Sequence, residues 1–246
     1  MCKGASEDVP VGDGKIPASL RALIPDHPAS FEAIEIAEKK LPASILNHSF
    51  RTYLYAKAFL EVQEDDRAAI KALKTDYLSP VRTFFAPLHS IFVACILHDV
   101  GTASEFDRNP ERFEITGADL IAQVLRRHGA DEDLIHESWL AAVLHDTPGI
   151  PNHLGGSARA VRLGIQSEFG NTVPDPAKLP EGLKTKEAVE AELPRLDIEK
   201  ILGDAVARQA LLTPEKAPPG CWPGGLLKAK RDDPDWTGVN KGFHGY

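Results

Sequence analysis

Long apolar runs are missing from this sequence: no stretch approaches the roughly 18 consecutive apolar residues that a membrane helix requires. The first thirty residues also lack the charged-then-apolar order of a secretory leader. Cysteine is scarce, at three in 246 residues. An odd number, at Cys2, Cys95 and Cys221 and without a C-x-x-C pair, excludes a disulfide framework. Clustered positive charge is missing too. Lys and Arg total 28 against 36 Asp and Glu, a formal net charge of −8, and the basic residues are scattered, which argues against a surface built to neutralise nucleic-acid phosphates. These absences lead us to expect a soluble cytoplasmic protein with a small-molecule partner, no nucleic acid and no membrane. Homo-oligomerisation stays open.

What the chain does have is helical periodicity. With 43% hydrophobic and 26% charged residues it can bury a sizeable core, and no alternating run with hairpin turns suggests a sheet. The predicted fold is all-α. It comprises an N-terminal extension over 1–27, a helical bundle over 28–212, and an irregular Pro/Gly-rich tail over 213–246 that packs on the body through Trp222, Leu226, Leu227, Trp236 and Phe243. Predicted helices include "PASFEAIEIAEKKL" with Ser30 as N-cap, "PASILNHSFRTYLYAKAFLEV" with Pro42 near its first turn, and "PLHSIFVACILHD", the most apolar and central. They continue with "TGADLIAQVLRRHG", capped by Thr116 and ended by Gly129, then "DEDLIHESWLAAVLHD", "GGSARAVRLGIQSEFG" and "RLDIEKILGDAVARQALL". The charged "QEDDRAAIKALKTDYLSPVRTF" reads as a solvated helix or loop, and "NTVPDPAKLPEGLKTK" as a surface connection.

Histidines disturb this pattern. Ile91, Ala94, Cys95 and His98 follow i, i+3, i+4, i+7 spacing, so His98 falls on the face that the core buries. Asp99 comes next, at a helix end where both side chains can converge on one point. An unpaired ionised carboxylate is costly to bury, and a divalent cation would satisfy imidazole and carboxylate together. On an earlier helix Ser44, His48 and Tyr55 share a stripe among apolar neighbours, which makes His48 a candidate third ligand. Glu168 ends an otherwise apolar helix and is the best late carboxylate to complete a site. Leu134, Ser138, Ala141 and His145 line up, with small residues leaving a hollow beside His145 as room for a substrate. Each group alone reads as an ordinary core or surface residue, but the set, spread over the inner faces or ends of separate helices, is hard to produce by packing alone. His27, His89, His128, His136, His153 and His244 read as capping, packing or loop residues, and Cys95 as core.

The order His, then His-Asp, then a distal carboxylate resembles the HD-domain metal hydrolases, an all-helical superfamily, and more closely the cyanamide hydratases of the HD type. The likeness is carried by "NHSFRTYLYA", "ILHDVGTASEF", "RFEITGADLIAQVLRRHG", "WLAAVLHD" and "VRLGIQSEFGN", from about residue 30 to about residue 170. It implies His48, His98, Asp99 and Glu168 as metal ligands, with Glu where the family usually has Asp, and a place at the pocket for His145. Imidazoles and carboxylates suit Zn(II), with another divalent ion such as Fe(II) as the alternative. Such a site lowers the pKa of bound water towards ~7, and the hydroxide would attack the nitrile carbon of cyanamide to give urea by way of isourea. Asp99 and His145 are the candidate proton carriers. Thr102 and Glu105 are candidates for orienting the amine or the water, and Phe106, Trp139, Ala141 and Ala142 for walls. One alternative is a phosphohydrolase acting on a nucleotide or small phosphomonoester, with Arg51 clamping phosphate one turn after His48. Another is a helical regulatory or scaffold module whose metal is structural or absent.

Overall fold

The most apolar segment of the chain is also its centre. Every residue from Ser90 to Leu97 is buried, because the helix that carries them is apolar all round and must be enclosed on every side. We label the helices in chain order: α1 (Ala18–Arg21), α2 (Pro28–Lys40), α3 (Ala43–Ala72) and the central α4 (Leu88–Leu97). They continue with α5 (Phe113–Arg127), α6 (Glu132–Val143), α7 (Ile150–Leu154), α8 (Gly156–Glu168), α9 (Lys186–Glu192), α10 (Ile198–Leu212) and α11 (Trp222–Asp232). The computed structural model describes residues 14–72, 87–170 and 172–236, with the backbone alone for 63–72. Among these residues the fold is all-helical, without a strand. None of these helices is long and apolar enough to cross a membrane.

Helix α4 is wrapped by α2, α3, α5 and α6, while α8 lies along α3 and α6. The α3–α8 approach is close because of Gly164: a Cβ there would sit 2.6 Å from the Thr52 carbonyl oxygen. That approach brings the end of α8 to the side of α3 that bears His48. Ile16 and Leu20, ahead of α2, are buried in the same core, so the described part of the N-terminal stretch belongs to the body.

Several local expectations are corrected. Ser30 is not the N-cap of α2. His27 is, its Nδ1 accepting from the Ala29 N–H at 3.2 Å, with Pro28 in the first turn. Thr116 likewise lies inside α5, its N–H already donating to the Arg112 carbonyl. The expected solvated segment begins as a continuation of α3, 30 residues long, and its part beyond Ala72 lies outside the described residues. The tail docks as expected but is not irregular throughout. In α11 the helix-breaking residues are confined to the first turn, where the Cys221 sulfur accepts from Gly224 and Pro223 needs no donor, and Leu226 and Leu227 are buried. Phe243 and His244 lie outside the described residues.

Candidate metal centre

Two helix ends and one helix flank deliver the site. His48 projects from the start of α3, His98 is the C-cap of α4, Asp99 follows it, and His145 comes just after α6. A 3-10 turn over Val100–Thr102 tightens the chain after Asp99, with the Thr102 N–H and hydroxyl both donating to the Asp99 carbonyl. Gly101 is required by sterics, since a Cβ would stand 2.1 Å from the Phe113 carbonyl oxygen at the start of α5.

His48, His98 and Asp99 are all but inaccessible, at 1%, 0% and 1% relative exposure. Each ring spends its Nδ1 on an acceptor: His98 donates to the Cys95 carbonyl at 2.7 Å, His145 to the Ala142 carbonyl at 2.6 Å, and His48 to Glu168 Oε1 at 3.1 Å. In a neutral imidazole the other nitrogen then carries the lone pair. Those Nε2 atoms converge. The His48 and His98 Nε2 atoms are 3.2 Å apart, and they lie 3.4 Å and 3.2 Å from Asp99 Oδ2. His145 Nε2 reaches Asp99 Oδ1 at 3.4 Å.

Three lone pairs facing a carboxylate repel one another unless protons or a cation stand between them. Both Asp99 oxygens are buried without a hydrogen-bond partner, a costly condition for an ionised group. The spacing suits a metal: ligand bonds of about 2.0–2.1 Å in a tetrahedron put donor atoms about 3.4 Å apart. His48, His98 and Asp99 can therefore hold a metal ion.

Electrostatics follow the same lines. Burial works against the Asp99 charge, but His98, His145 and His48 outweigh it and hold the carboxyl well below the usual range. Burial lowers His98 and keeps it neutral. Burial also opposes charge on His145, yet the Asp99 carboxylate, 3.4 Å from its Nε2, prevails and pushes the ring up to about 9. His48 is raised against burial by Asp99 and Glu168.

Glu168 does not join the cluster. It stands behind His48, on the Nδ1 side, with Arg51 Nη2 at 2.5 Å on Oε1 and Arg195 on Oε2. Burial alone would raise its pKa; His48 and Arg51 hold it down at about 2. The expected fourth ligand is thus the carboxylate that fixes the His48 ring, because two guanidiniums and one imidazole use its oxygens. Arg51 is fully buried and its Nη1 donates to the Leu193 and Pro194 carbonyls, so the expected phosphate clamp is taken up inside the fold.

Thr102 is buried beside Asp99 and braces its backbone. Glu105 is not part of the site: its half-exposed side chain pairs with Lys40. Trp139 donates to Asp119 and lines an open groove between α5 and α6, and the Phe106 ring lies under Lys40. The aromatic neighbours of the imidazoles are instead Phe169, 5.4 Å from His48, and Phe113, 5.7 Å from His145. Sequence reasoning passed over Phe169 and Arg195. It also missed Glu114, a buried acid near Asp146 whose burial and like-charged neighbour push it up to about 7. A carboxylate three residues before a "GADLIAQVL" helix gave no cue to that pairing. No protein-family model matches the chain, and none of the curated proteins matches it in sequence.

Proposed function

We propose that the chain is a divalent-metal hydratase of the HD type that converts cyanamide to urea, with His48, His98 and Asp99 holding the cation, Zn(II) in the first instance. The observation that carries this reading is the buried Asp99 carboxylate, without a hydrogen-bond partner and faced by three imidazole nitrogens at 3.2–3.4 Å. A bound cation would supply, at neutral pH, a water of lowered pKa for addition to the nitrile carbon.

The protein's own groups do the rest. His145 has its Nδ1 committed to the Ala142 carbonyl, so Nε2 is the atom that exchanges a proton with the reacting molecules. Addition of water across the C≡N bond needs one proton moved from oxygen to nitrogen, giving isourea, which tautomerises to urea. Thr102 keeps Asp99 in register from behind. Phe113 and Phe169 exclude bulk water around the imidazoles.

Two features favour a small neutral substrate over a phosphomonoester. The ligands are enclosed, at 0–1% relative exposure. The Arg51 guanidinium is also committed, to Glu168 and two carbonyls. A phosphate dianion brought into such a site would need free cationic donors. The test is urea release from cyanamide by protein of known metal content, run beside a chelated sample and a panel of phosphomonoesters. Chelator-sensitive urea formation supports the hydratase; phosphate release without urea replaces it with the phosphohydrolase.

A further inference from the structure

Two residues other than glycine have positive φ among the described residues, and they are consecutive: Leu196 at 51° and Asp197 at 55°. Aspartate tolerates the left-handed region, but a leucine there is uncommon and strained. Leu196 gains little in return from burial, being 50% exposed. The turn persists because the residues that lead into it, Leu193 to Arg195, are tied down.

On one flank, the Leu193 carbonyl accepts from Arg51 at 2.6 Å, and the Pro194 carbonyl accepts from Arg51 at 3.1 Å and Asn47 at 3.0 Å. Asn47 and Arg51 bracket His48 on α3. Arg195 lies on the same flank, directly before the turn. Its Nη1 donates to the Glu168 carbonyl at 2.9 Å and to Glu168 Oε2, its Nη2 donates to Glu199, and its guanidinium sits 5.6 Å from the Phe169 ring centre. Glu168 and Phe169 are the two residues that meet the His48 ring from behind and from the side. The turn therefore grips the metal-ligand helix through its carbonyls and the ligand's supports through its one arginine.

We propose that Arg195 is a positioning residue for His48, held in place by the left-handed turn at Leu196–Asp197. It acts through Glu168, whose carboxylate fixes the His48 ring with Nε2 towards Asp99. Carboxylates that orient a ligating histidine in this way are worth about 10–100-fold in metal affinity. The inference rests on the reading of His48, His98 and Asp99 as a metal centre.

The test uses Co(II) as the metal, its affinity and visible absorption spectrum being read on wild-type protein, Arg195→Ala, Arg195→Lys and Leu196→Gly, each first checked for fold by circular dichroism. Wild type is expected to bind one Co(II). Arg195→Ala should bind it roughly 10–100-fold more weakly with an altered ligand-field spectrum, and Arg195→Lys should recover part of both. Leu196→Gly, which keeps the arginine and removes the strain, should leave the spectrum unchanged. If Arg195→Ala does not fold, Arg195→Lys decides: a spectrum and affinity identical to wild type overturn the proposal. Wild-type binding with no change in a folded Arg195→Ala overturns it and leaves the metal centre standing. Absence of Co(II) binding by the wild type overturns both.

Discussion

Replacing Glu168 by glutamine keeps the size of the side chain and removes one buried charge. In the native protein that charge lies between Arg51, which is fully buried, Arg195 and the His48 ring. The variant strands Arg51 without a counter-charge, a change that typically costs 3–5 kcal/mol. The carboxyl's own titration supplies a second measure. Moving from an ordinary 4.5 to about 2 on folding corresponds to roughly 3 kcal/mol of stability at neutral pH. The two agree to within the scatter of either, and for a chain of this length they imply a fall in Tm of about 6–20 °C.

The pH dependence is diagnostic. A depressed carboxyl contributes fully above its unfolded pKa, near 4.5, and loses that contribution as pH falls towards about 2. The gap between wild type and Glu168→Gln should therefore narrow as pH falls below about 5.5. Urea unfolding of the metal-free proteins, followed by tryptophan fluorescence at several pH values, measures this. A gap below about 1 kcal/mol at pH 7, or one that does not narrow on acidification, would refute the reasoning.

Three further outcomes follow from the geometry. His98→Ala should lose bound metal and activity, whereas His145→Ala should keep the metal and lose rate, as read by metal analysis and urea release; metal retained by the first variant would sink the ligand assignment. Metal binding at pH 7 should release about one proton, because His145 owes its raised pKa of about 9 to the Asp99 charge that a cation would neutralise; calorimetry in buffers of different ionisation enthalpy counts the protons, and a count of zero contradicts the arrangement. Gly101→Ala should cost at least the 1–3 kcal/mol of an overpacked core, since its Cβ would fall 2.1 Å from the Phe113 carbonyl; an unchanged melting temperature would mean that α5 does not pack there.

The candidate ligands were legible because helical periodicity decides burial, and burial makes a histidine conspicuous. His98 and His48 stand on inner faces, and Asp99 followed from adjacency. Glu168 was legible as an inward carboxylate but not as a support. Which atoms approach it depends on Arg51, one helix away, and on Arg195, 27 residues further along. Arg195 itself was invisible: a single arginine between Pro194 and Leu196 carries no periodic signal. Glu105 misled because proximity in sequence to the His-Asp pair does not survive the two 3-10 turns that follow it, which send the side chain out to Lys40. The tail misled by composition, since its Pro and Gly are dense only where a helix tolerates them.

The order in which the site's parts occur along the chain bears on its biogenesis. His48, the His98–Asp99 pair, His145, Glu168 and Arg195 leave the ribosome in that sequence, each on a different helix or turn, and the donor atoms of the first two are separated by 50 residues. No short nascent segment contains all three candidate ligands. A metal held by His48, His98 and Asp99 would accordingly be acquired by a chain that has already collapsed around α4.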